Sequence, residues 1–230
     1  MAGLVEVDGR RVDKPGAPVA GAAAVAVEGP AEPYASRAGR KLAAALDHFA
    51  AGHPGLAPRG WTCLDVGAST GGFTDVLLQR GARRVYALDV GYGQLDYRLR
   101  QDPRVVVMER VNARHLAPGD LPERCDLAVV DVSFISLRKV VPALLPHLAP
   151  GGWLLPMIKP QFEAGRGAVG KGGILRDEAL RARVVEETAA ALAGLGLERL
   201  GLADSEVAGA GGNREAFVLL RKPAEDRADG

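Results

Sequence analysis

The sequence lacks any long apolar run. Among its 230 residues, no uninterrupted hydrophobic stretch reaches the roughly 18 positions that a membrane-spanning helix needs. The first residues also lack the apolar region of a secretory signal peptide. The sequence therefore predicts a protein that does not enter a membrane, and we expect it in the cytoplasm.

Cysteine and lysine are scarce. The two cysteines, Cys63 and Cys125, lie in apolar segments, and no residues have the spacing of a metal site. This predicts buried free thiols in a reducing compartment and no bound metal. Of the 29 basic residues, 23 are arginine and 6 are lysine. Because lysine can lose its proton when desolvated and arginine does not, Lys41 and Lys159 are candidates for proton transfer.

Net charge is also small. A formal charge of +1 and a hydrophobic content of 47% are typical of a globular protein with one main domain and a small appendage. Any binding of nucleic acid must therefore depend on a local basic patch rather than on the whole surface.

The most informative stretch is Cys63–Thr74. A short apolar strand over 61–66 carries Asp65 near its end, a run of small residues follows, and a helical pattern begins at Phe73. Glycines in such a turn let a ligand approach the backbone, and free helix amides attract carboxylate or phosphate. A strand, turn and helix without any ligand is the alternative.

The spacing of this turn favours one class of ligand. It does not follow the G-x-G-x-x-G pattern of dinucleotide sites, and no lysine of an ATP phosphate loop follows it. An acid before the first glycine suits a ligand with an ammonium or sulfonium group, such as S-adenosylmethionine. The next strand, over 84–89, ends in Asp89, and nucleotide-binding α/β folds place such an acid on ribose hydroxyls.

Strand and helix patterns alternate along the rest of the chain. This predicts an α/β fold with a doubly wound, mostly parallel sheet. The predicted strands are 61–66, 84–89, 105–109, 127–131, 152–158, 197–205 and 215–220. The predicted helices are about 37–49, 73–78, 94–100, 137–148 and 177–193.

The chain divides into four predicted parts. Residues 1–29 form a small β appendage with a hairpin at Asp8-Gly9, and residues 30–35 form a linker. Residues 36–222 form the main domain, and residues 223–230 form a disordered tail.

Polar residues gather at the predicted ligand edge of the sheet. They are Asp65, Gly67, Asp89, Asn112, Asp131 and Lys159, joined by Glu215 if the last strand is antiparallel, and Lys41 precedes the sheet. Asn112 would either contact an adenine edge or cap a turn, and the turn is favoured. Lys159 would either take a proton or form an ion pair with Asp131 that has no chemical role.

Basic residues flank this edge. Ser36 is the predicted N-cap of the first helix, and Arg37, Arg40 and Lys41 follow it in the first turn. A solvated basic turn and a contact with a partner's phosphate are equally favoured. Arg166 and Lys171 lie in the glycine-rich segment 161–173, which suits a flexible contact with a polyanion.

Four motifs together resemble the bacterial TlyA (haemolysin A) family. They are SRxGxKL at 36–42, LDVGASTGGFT at 64–74, DVSFISL at 131–137 and IKPQFE at 158–163. The resemblance runs from about Gly3 to Leu220. It implies a Rossmann-like, seven-stranded methyltransferase sheet like that of FtsJ. It also implies that the protein is a ribosomal RNA 2′-O-methyltransferase, which uses S-adenosylmethionine to methylate cytidine.

The resemblance also implies the site. A Lys-Asp-Lys-Glu tetrad falls on Lys41, Asp131, Lys159 and Glu215, with Lys159 deprotonating the ribose hydroxyl, Asp131 tuning Lys159, and the other two positioning the ribose. The implied cofactor-binding residues are Asp65, Gly67, Ala68, Ser69, Gly71, Gly72, Phe73, Thr74, Asp89, Asn112 and Asp131. The implied RNA-binding residues are Ser36, Arg37, Arg40, Arg166 and Lys171.

The family also carries an N-terminal S4-type RNA-binding domain. Residues 3–29 resemble only the second half of that domain, so we expect either a start downstream of the true one or a shortened form. The implied partners are ribosomal RNA or ribosomal subunits. The alternatives are a membrane-active haemolysin and a module that binds RNA and cofactor without turnover. The oligomeric state does not follow from the sequence.

Overall fold

The computed structural model describes residues 5–12, 14, 16–27, 32–165, 169–170, 172–209 and 212–224. It divides into two compact units, Met1–Pro33 and Tyr34–Gly230. The predicted sites Arg166 and Lys171, and most of the predicted tail, lie outside the described residues.

The first unit is a small antiparallel sheet. Its strands are β1 (Val5–Val7), β2 (Arg10–Arg11) and β3 (Val25–Val27), in the order β2-β1-β3. Asp8 and Gly9 both have positive φ, as a tight hairpin turn between right-twisted strands requires. The predicted β appendage is therefore confirmed; its assignment to an S4-type domain stays a prediction.

The second unit is built on a seven-stranded sheet in the order β6-β5-β4-β7-β8-β10-β9. Its strands are β4 (Thr62–Val66), β5 (Arg84–Asp89), β6 (Val105–Glu109), β7 (Cys125–Val130), β8 (Leu148–Ile158), β9 (Glu198–Asp204) and β10 (Ala216–Arg221). All pairs are parallel except those of β10, which runs antiparallel to both neighbours. The predicted doubly wound, mostly parallel sheet is confirmed.

The helices are α1 (Ala38–Gly52), α2 (Gly72–Gln79), α3 (Tyr97–Arg100), α4 (Leu137–Leu144), α5 (Pro160–Glu163) and α6 (Glu178–Ala193). The structure corrects one predicted cap: Arg37 is the N-cap of α1, and no side chain caps this helix, so Ser36 does not. Helix α4 is also shorter than predicted. It gives way to a 3₁₀ turn at Leu145–His147, where Pro146 has no N–H to continue the helix.

Alternating residues of each central strand supply two separate cores. In β7, Leu127 and Val129 pack on the face covered by α1 and α2, whereas Ala128 and Val130 pack on the face covered by α4 and α6. Strand order reverses between β4 and β7, since β5 and β6 lie on one side of β4 and the remaining strands on the other. A ligand crevice is expected at such a switch point, at the carboxyl ends of the strands.

Candidate active site

Two adjacent cavities occupy the carboxyl edge of the sheet. The turn cavity, of about 460 Å³, lies beside the loop after β4. The lysine cavity, of about 470 Å³, lies between the start of α1 and the ends of β8 and β10. Ser133 and Phe134 line both cavities, so the two form one continuous candidate site. Predicted residues that line the turn cavity are Gly67, Ser69, Asp89, Asn112 and Asp131. Those that line the lysine cavity are Ser36, Arg37, Lys41, Lys159 and Glu215.

Gly67 forms the tight part of the turn. Its φ is +86°, and its N–H donates to the carbonyl of Leu88 at 2.8 Å. A Cβ at this position would lie 2.4 Å from the carbonyl oxygen of Asp131. Only glycine allows the two loops to approach this closely while keeping the left-handed conformation.

The next two glycines allow neighbouring segments to pack closely on the turn. A Cβ at Gly71 would lie 2.2 Å from a methyl group of Leu99, and one at Gly72 would lie 2.4 Å from the Ser36 hydroxyl. Both therefore let neighbouring segments pack against the start of α2. Together with Asp65, Ala68, Phe73 and Thr74, they are buried outside the cavity lining, and any contact of theirs with a cofactor stays a prediction.

Asp65 is fully buried beneath the turn. Its Oδ2 accepts a hydrogen bond from the Thr74 hydroxyl at 2.6 Å, which ties β4 to the first turn of α2. Within the described part of the chain, its Oδ1 has no hydrogen-bond partner. Burial raises the pKa of Asp65 to about 7, although the Thr74 hydrogen bond opposes this shift.

Asp89 and Asn112 are held by backbone amides. The Asp89 carboxylate accepts from Ser69 N–H at 2.8 Å and from Gly91 N–H at 2.7 Å, so it fixes the loops on both sides of it. The Asn112 side chain accepts from Arg114 N–H at 3.1 Å, so the favoured turn-capping role is confirmed, and the residue also lines the turn cavity.

Sequence reasoning missed Gln94, which lines this cavity and accepts from the Ser69 hydroxyl at 3.4 Å.

Lys41 and Glu215 form one of two lysine–carboxylate pairs in the lysine cavity. Lys41 Nζ donates to Glu215 Oε2 at 2.6 Å, and only 12% and 3% of the respective side chains are exposed. Gly209 packs directly on the carboxylate, since a Cβ there would lie 2.3 Å from Glu215 Oε1. The pair is thus held from two segments, α1 and the loop that leads into β10.

Lys159 and Asp131 form the second pair. Lys159 Nζ lies 2.5 Å from Asp131 Oδ1 and donates to the Ser133 hydroxyl at 3.0 Å. The structure thus contains the ion pair that the sequence left open as an alternative to a catalytic role. Both side chains nevertheless line the candidate site, where the ammonium is accessible from the lysine cavity and the carboxylate from the turn cavity.

Phe134 stands at the junction of the two cavities. Its φ is +64°, an uncommon value for an aromatic residue, and 90% of the residue is exposed to solvent. Its ring centroid lies 4.9 Å from that of Phe162. Strain and exposure together are typical of a functional position. Sequence reasoning gave Phe134 no role, although it lies within the DVSFISL motif that supported the family resemblance.

Two of the arginines predicted to bind RNA, Arg37 and Arg40, are among the described residues. Arg37 is exposed and lines the lysine cavity, while Arg40 is exposed in the first turn of α1 but outside the lining. Among the described ranges, no helix is long and apolar enough to cross a membrane.

Comparison with known proteins agrees with this geometry. The FtsJ-like methyltransferase family matches residues 34–222. The chain is 48% identical over 228 residues to the "16S/23S rRNA (cytidine-2'-O)-methyltransferase TlyA" of Mycobacterium tuberculosis, covering 99% of this chain and 83% of that protein. It is 44% identical over 183 residues to "Hemolysin A" of Brachyspira hyodysenteriae, covering 79% and 74% of the two chains.

A solved structure shares the same architecture. It belongs to a protein from Streptococcus thermophilus, with a TM-score of 0.82 and 42% identity, covering 99% of this chain and 82% of that one. The family match covers most of the chain, and the sequence relatives named above share close to half of the aligned positions. The chain therefore belongs to the FtsJ-like methyltransferase family and, within it, to the group of TlyA and haemolysin A proteins.

Proposed function

We propose that this protein transfers a methyl group from S-adenosylmethionine to a ribose 2′-hydroxyl of ribosomal RNA. The observation that carries the proposal is the pairing of Lys41 with Glu215 and of Lys159 with Asp131 in one site, beside the turn at Gly67. The names of the TlyA relatives support cytidine as the target nucleotide. Such a substrate is consistent with a cytoplasmic enzyme.

The turn cavity has the features that this cofactor requires. Gly67 allows the loop after β7 to lie directly beside the turn, since a Cβ at this position would collide with that loop. Asp89 lies at the end of β5, where it would receive the ribose hydroxyls, and apolar residues such as Leu88 and Ile135 would pack against the adenine. When bound, S-adenosylmethionine supplies a methyl group on a positively charged sulfur, which is activated for attack by an oxygen nucleophile.

The lysine cavity would receive the ribose. In the step, Lys159 Nζ acts as the neutral amine that takes the proton of the 2′-hydroxyl while the oxygen bonds to the methyl group, and Asp131 holds the resulting ammonium through the 2.5 Å ion pair. Ser133 accepts a second hydrogen bond from the same nitrogen, which restricts the direction in which Lys159 points. Lys41 and Glu215 bind and orient the ribose, and the alignment of the oxygen supplies much of the rate.

The RNA strand would lie across the rim of this cavity. The exposed ring of Phe134 offers a platform on which a base can stack, and Arg37 lies where a phosphate can meet it. We assign the small sheet of residues 5–27 to RNA binding as the second half of an S4-type domain, and residues 36–222 to catalysis.

Methyl incorporation into purified ribosomal subunits tests the proposal. Wild-type protein should transfer labelled methyl from S-adenosylmethionine to ribosomal RNA, and the product should resist alkaline hydrolysis, because a 2′-O-methyl group blocks cleavage of the adjoining phosphodiester. Lys159→Ala should abolish incorporation. Methyl groups found only on bases, or full activity in Lys159→Ala, would overturn the assigned reaction or the assigned base.

One relative is named a haemolysin, so membrane activity is tested as well. If purified protein released dye from liposomes without S-adenosylmethionine, membrane activity would have to be added to the proposal. Tight cofactor binding without turnover on intact subunits would instead identify a binding module.

A further inference from the structure

Glu163 joins the two segments that carry the Lys159–Asp131 pair. Its Oε2 accepts from the Ser136 hydroxyl at 2.6 Å, and its Oε1 accepts from Leu137 N–H at 2.8 Å. Ser136 is itself the N-cap of α4, where its hydroxyl accepts from Arg138 N–H at 3.2 Å. Both oxygens of one carboxylate therefore bind the first turn of α4.

Glu163 lies close to Lys159 in the sequence and binds the end of the loop that carries Asp131. Glu163 is the last residue of α5, a single turn that begins directly after Lys159. The loop between β7 and α4 contains Asp131, Ser133 and Phe134 and ends at the N-cap that Glu163 binds. The carboxylate thus connects the segment that holds Lys159 to the loop that presents its two partners.

A second contact reinforces the same link. The ring of Phe162, the neighbour of Glu163, lies 4.9 Å from the ring of Phe134. Phe134 is otherwise exposed and has a strained φ of +64°. A strained backbone conformation persists only where neighbouring residues hold it in place. Glu163 fixes the C-terminal end of this loop only two residues later, at Ser136.

We propose that Glu163 is a positioning residue for methyl transfer. It does not touch the reacting atoms; it sets the separation and angle between Lys159 and Asp131 and holds the Phe134 platform in place. This inference rests on the proposed function, because its kinetic consequence is a slower methyl-transfer step. The carboxylate is partly buried, and its negative charge also complements the N-terminus of α4.

Single-turnover kinetics with excess enzyme test the kinetic part. Glu163→Gln keeps the shape and loses the charge, and we expect methyl transfer to slow by about 10-fold; Glu163→Ala should slow it by about 100-fold, as small misalignments of reacting groups do. Affinity for S-adenosylmethionine should fall less than the methyl-transfer rate, because Gly67, Ser69 and Asp89 line the turn cavity from other loops.

The matched control is Glu123→Gln. Glu123 also bridges several donors, including the Thr62 hydroxyl at 3.1 Å and Arg83 at 2.6 Å, but it lies at the opposite edge of the sheet, ahead of β7. This variant should lose some stability and keep its methyl-transfer rate. Equal rates for wild type and Glu163→Ala, or equal slowing in Glu163→Gln and Glu123→Gln, would overturn the assignment.

Fluorine NMR tests the positioning without any turnover. Phe134→Trp, labelled with fluorotryptophan, is compared with the double variant Phe134→Trp, Glu163→Gln. The two native tryptophans, Trp61 and Trp153, line a cavity at the opposite edge and act as internal references. We expect the resonance of position 134 to shift or broaden when Glu163 is changed, while the other two stay unchanged.

The two measurements separate the possible failures. If wild-type protein methylates no ribosomal RNA, the proposed function fails, and the resonance of position 134 still decides whether Glu163 holds the loop. If wild type is active and that resonance does not respond to Glu163→Gln, the positioning role is wrong and the function stands. Movement of all three resonances would show a general loss of structure and would also overturn the specific role.

Discussion

The ammonium of Lys41 and the carboxylate of Glu215 lie 2.6 Å apart, although 174 positions separate them in the sequence. They meet because β10 is antiparallel to β8, which places the start of β10 at the edge where the parallel strands end. Helix α1, which precedes the sheet, brings Lys41 to that edge. The first and last elements of the second unit thus close the lysine cavity together.

Breaking this pair should affect stability and activity differently. Lys41→Met leaves a buried Glu215 carboxylate without its partner, and we expect the free energy of unfolding to fall by about 3 kcal/mol. The double variant Lys41→Met, Glu215→Leu should recover most of this loss, because neither charge is then buried alone. Urea unfolding measures stability, and methyl incorporation should stay absent in both variants. A double variant that recovers stability and activity together would contradict a catalytic role for the pair.

Gly67→Ala should weaken cofactor binding. The new methyl group would lie 2.4 Å from the carbonyl oxygen of Asp131, so the loops on both sides of the turn cavity must move apart. Gly60→Ala is the matched control, since Gly60 has a similar φ of +76° and open space around it. We expect both variants to lose about 1 kcal/mol from the positive φ. Only Gly67→Ala should weaken S-adenosylmethionine binding, by 10-fold or more in calorimetry, which corresponds to a loss of about 1.4 kcal/mol or more in binding free energy. Equal affinities of the two variants would contradict the placement of the cofactor.

Phe134→Ala should weaken RNA methylation with little effect on stability. The ring is 90% exposed, so its removal should change the free energy of unfolding by less than about 0.5 kcal/mol. Loss of a stacked base should reduce RNA affinity or methyl transfer by about 10-fold. Tyr97→Ala is the control, because Tyr97 is 75% exposed and lies outside the lining of both cavities. Equal activity of both variants would exclude stacking on Phe134.

Local patterns were sufficient to predict the strands of the main sheet. In β5 the apolar run predicts the observed strand, because Val85 and Ala87 pack in one core while Tyr86 and Leu88 pack in the other. Boundaries set by single side chains were harder to predict. Helix α3 begins at Tyr97 rather than near 94 because Asp96 caps it by accepting from Arg98 N–H at 2.8 Å.

The site shows what sequence patterns cannot supply. The motifs identified Lys41, Asp131, Lys159 and Glu215, and the structure brings these four side chains to one edge as two ion pairs. It was not evident from the sequence that Gly71 and Gly72 serve helix packing, since a glycine-rich turn has the same composition whether a ligand or a neighbouring helix approaches it. Side-chain contacts across loops, such as those of Gln94, depend on distances that spacing does not encode.

Asp65 should make the stability of the fold depend on pH with a definite sign. The pKa of this carboxyl is raised by burial from an ordinary 3.8 to about 7 in the folded protein. Between these values the folded state binds more protons than the unfolded state, so stability is greatest at low pH and falls as the pH rises through 7. From pH 5 to pH 8 the loss from this one group should be about 3 kcal/mol.

Asp65→Asn should remove this dependence. The neutral amide can still accept the Thr74 hydroxyl bond, so in urea unfolding the stability of the variant relative to wild type should rise by about 3 kcal/mol from pH 5 to pH 8. Asp47→Asn is the control, because the Asp47 carboxyl is exposed, its hydrogen bond with Arg80 lowers its pKa, and it therefore stays ionised across this range. Its effect on stability should be constant from pH 5 to pH 8. Parallel curves for wild type and Asp65→Asn would show that the buried carboxyl does not titrate in this window.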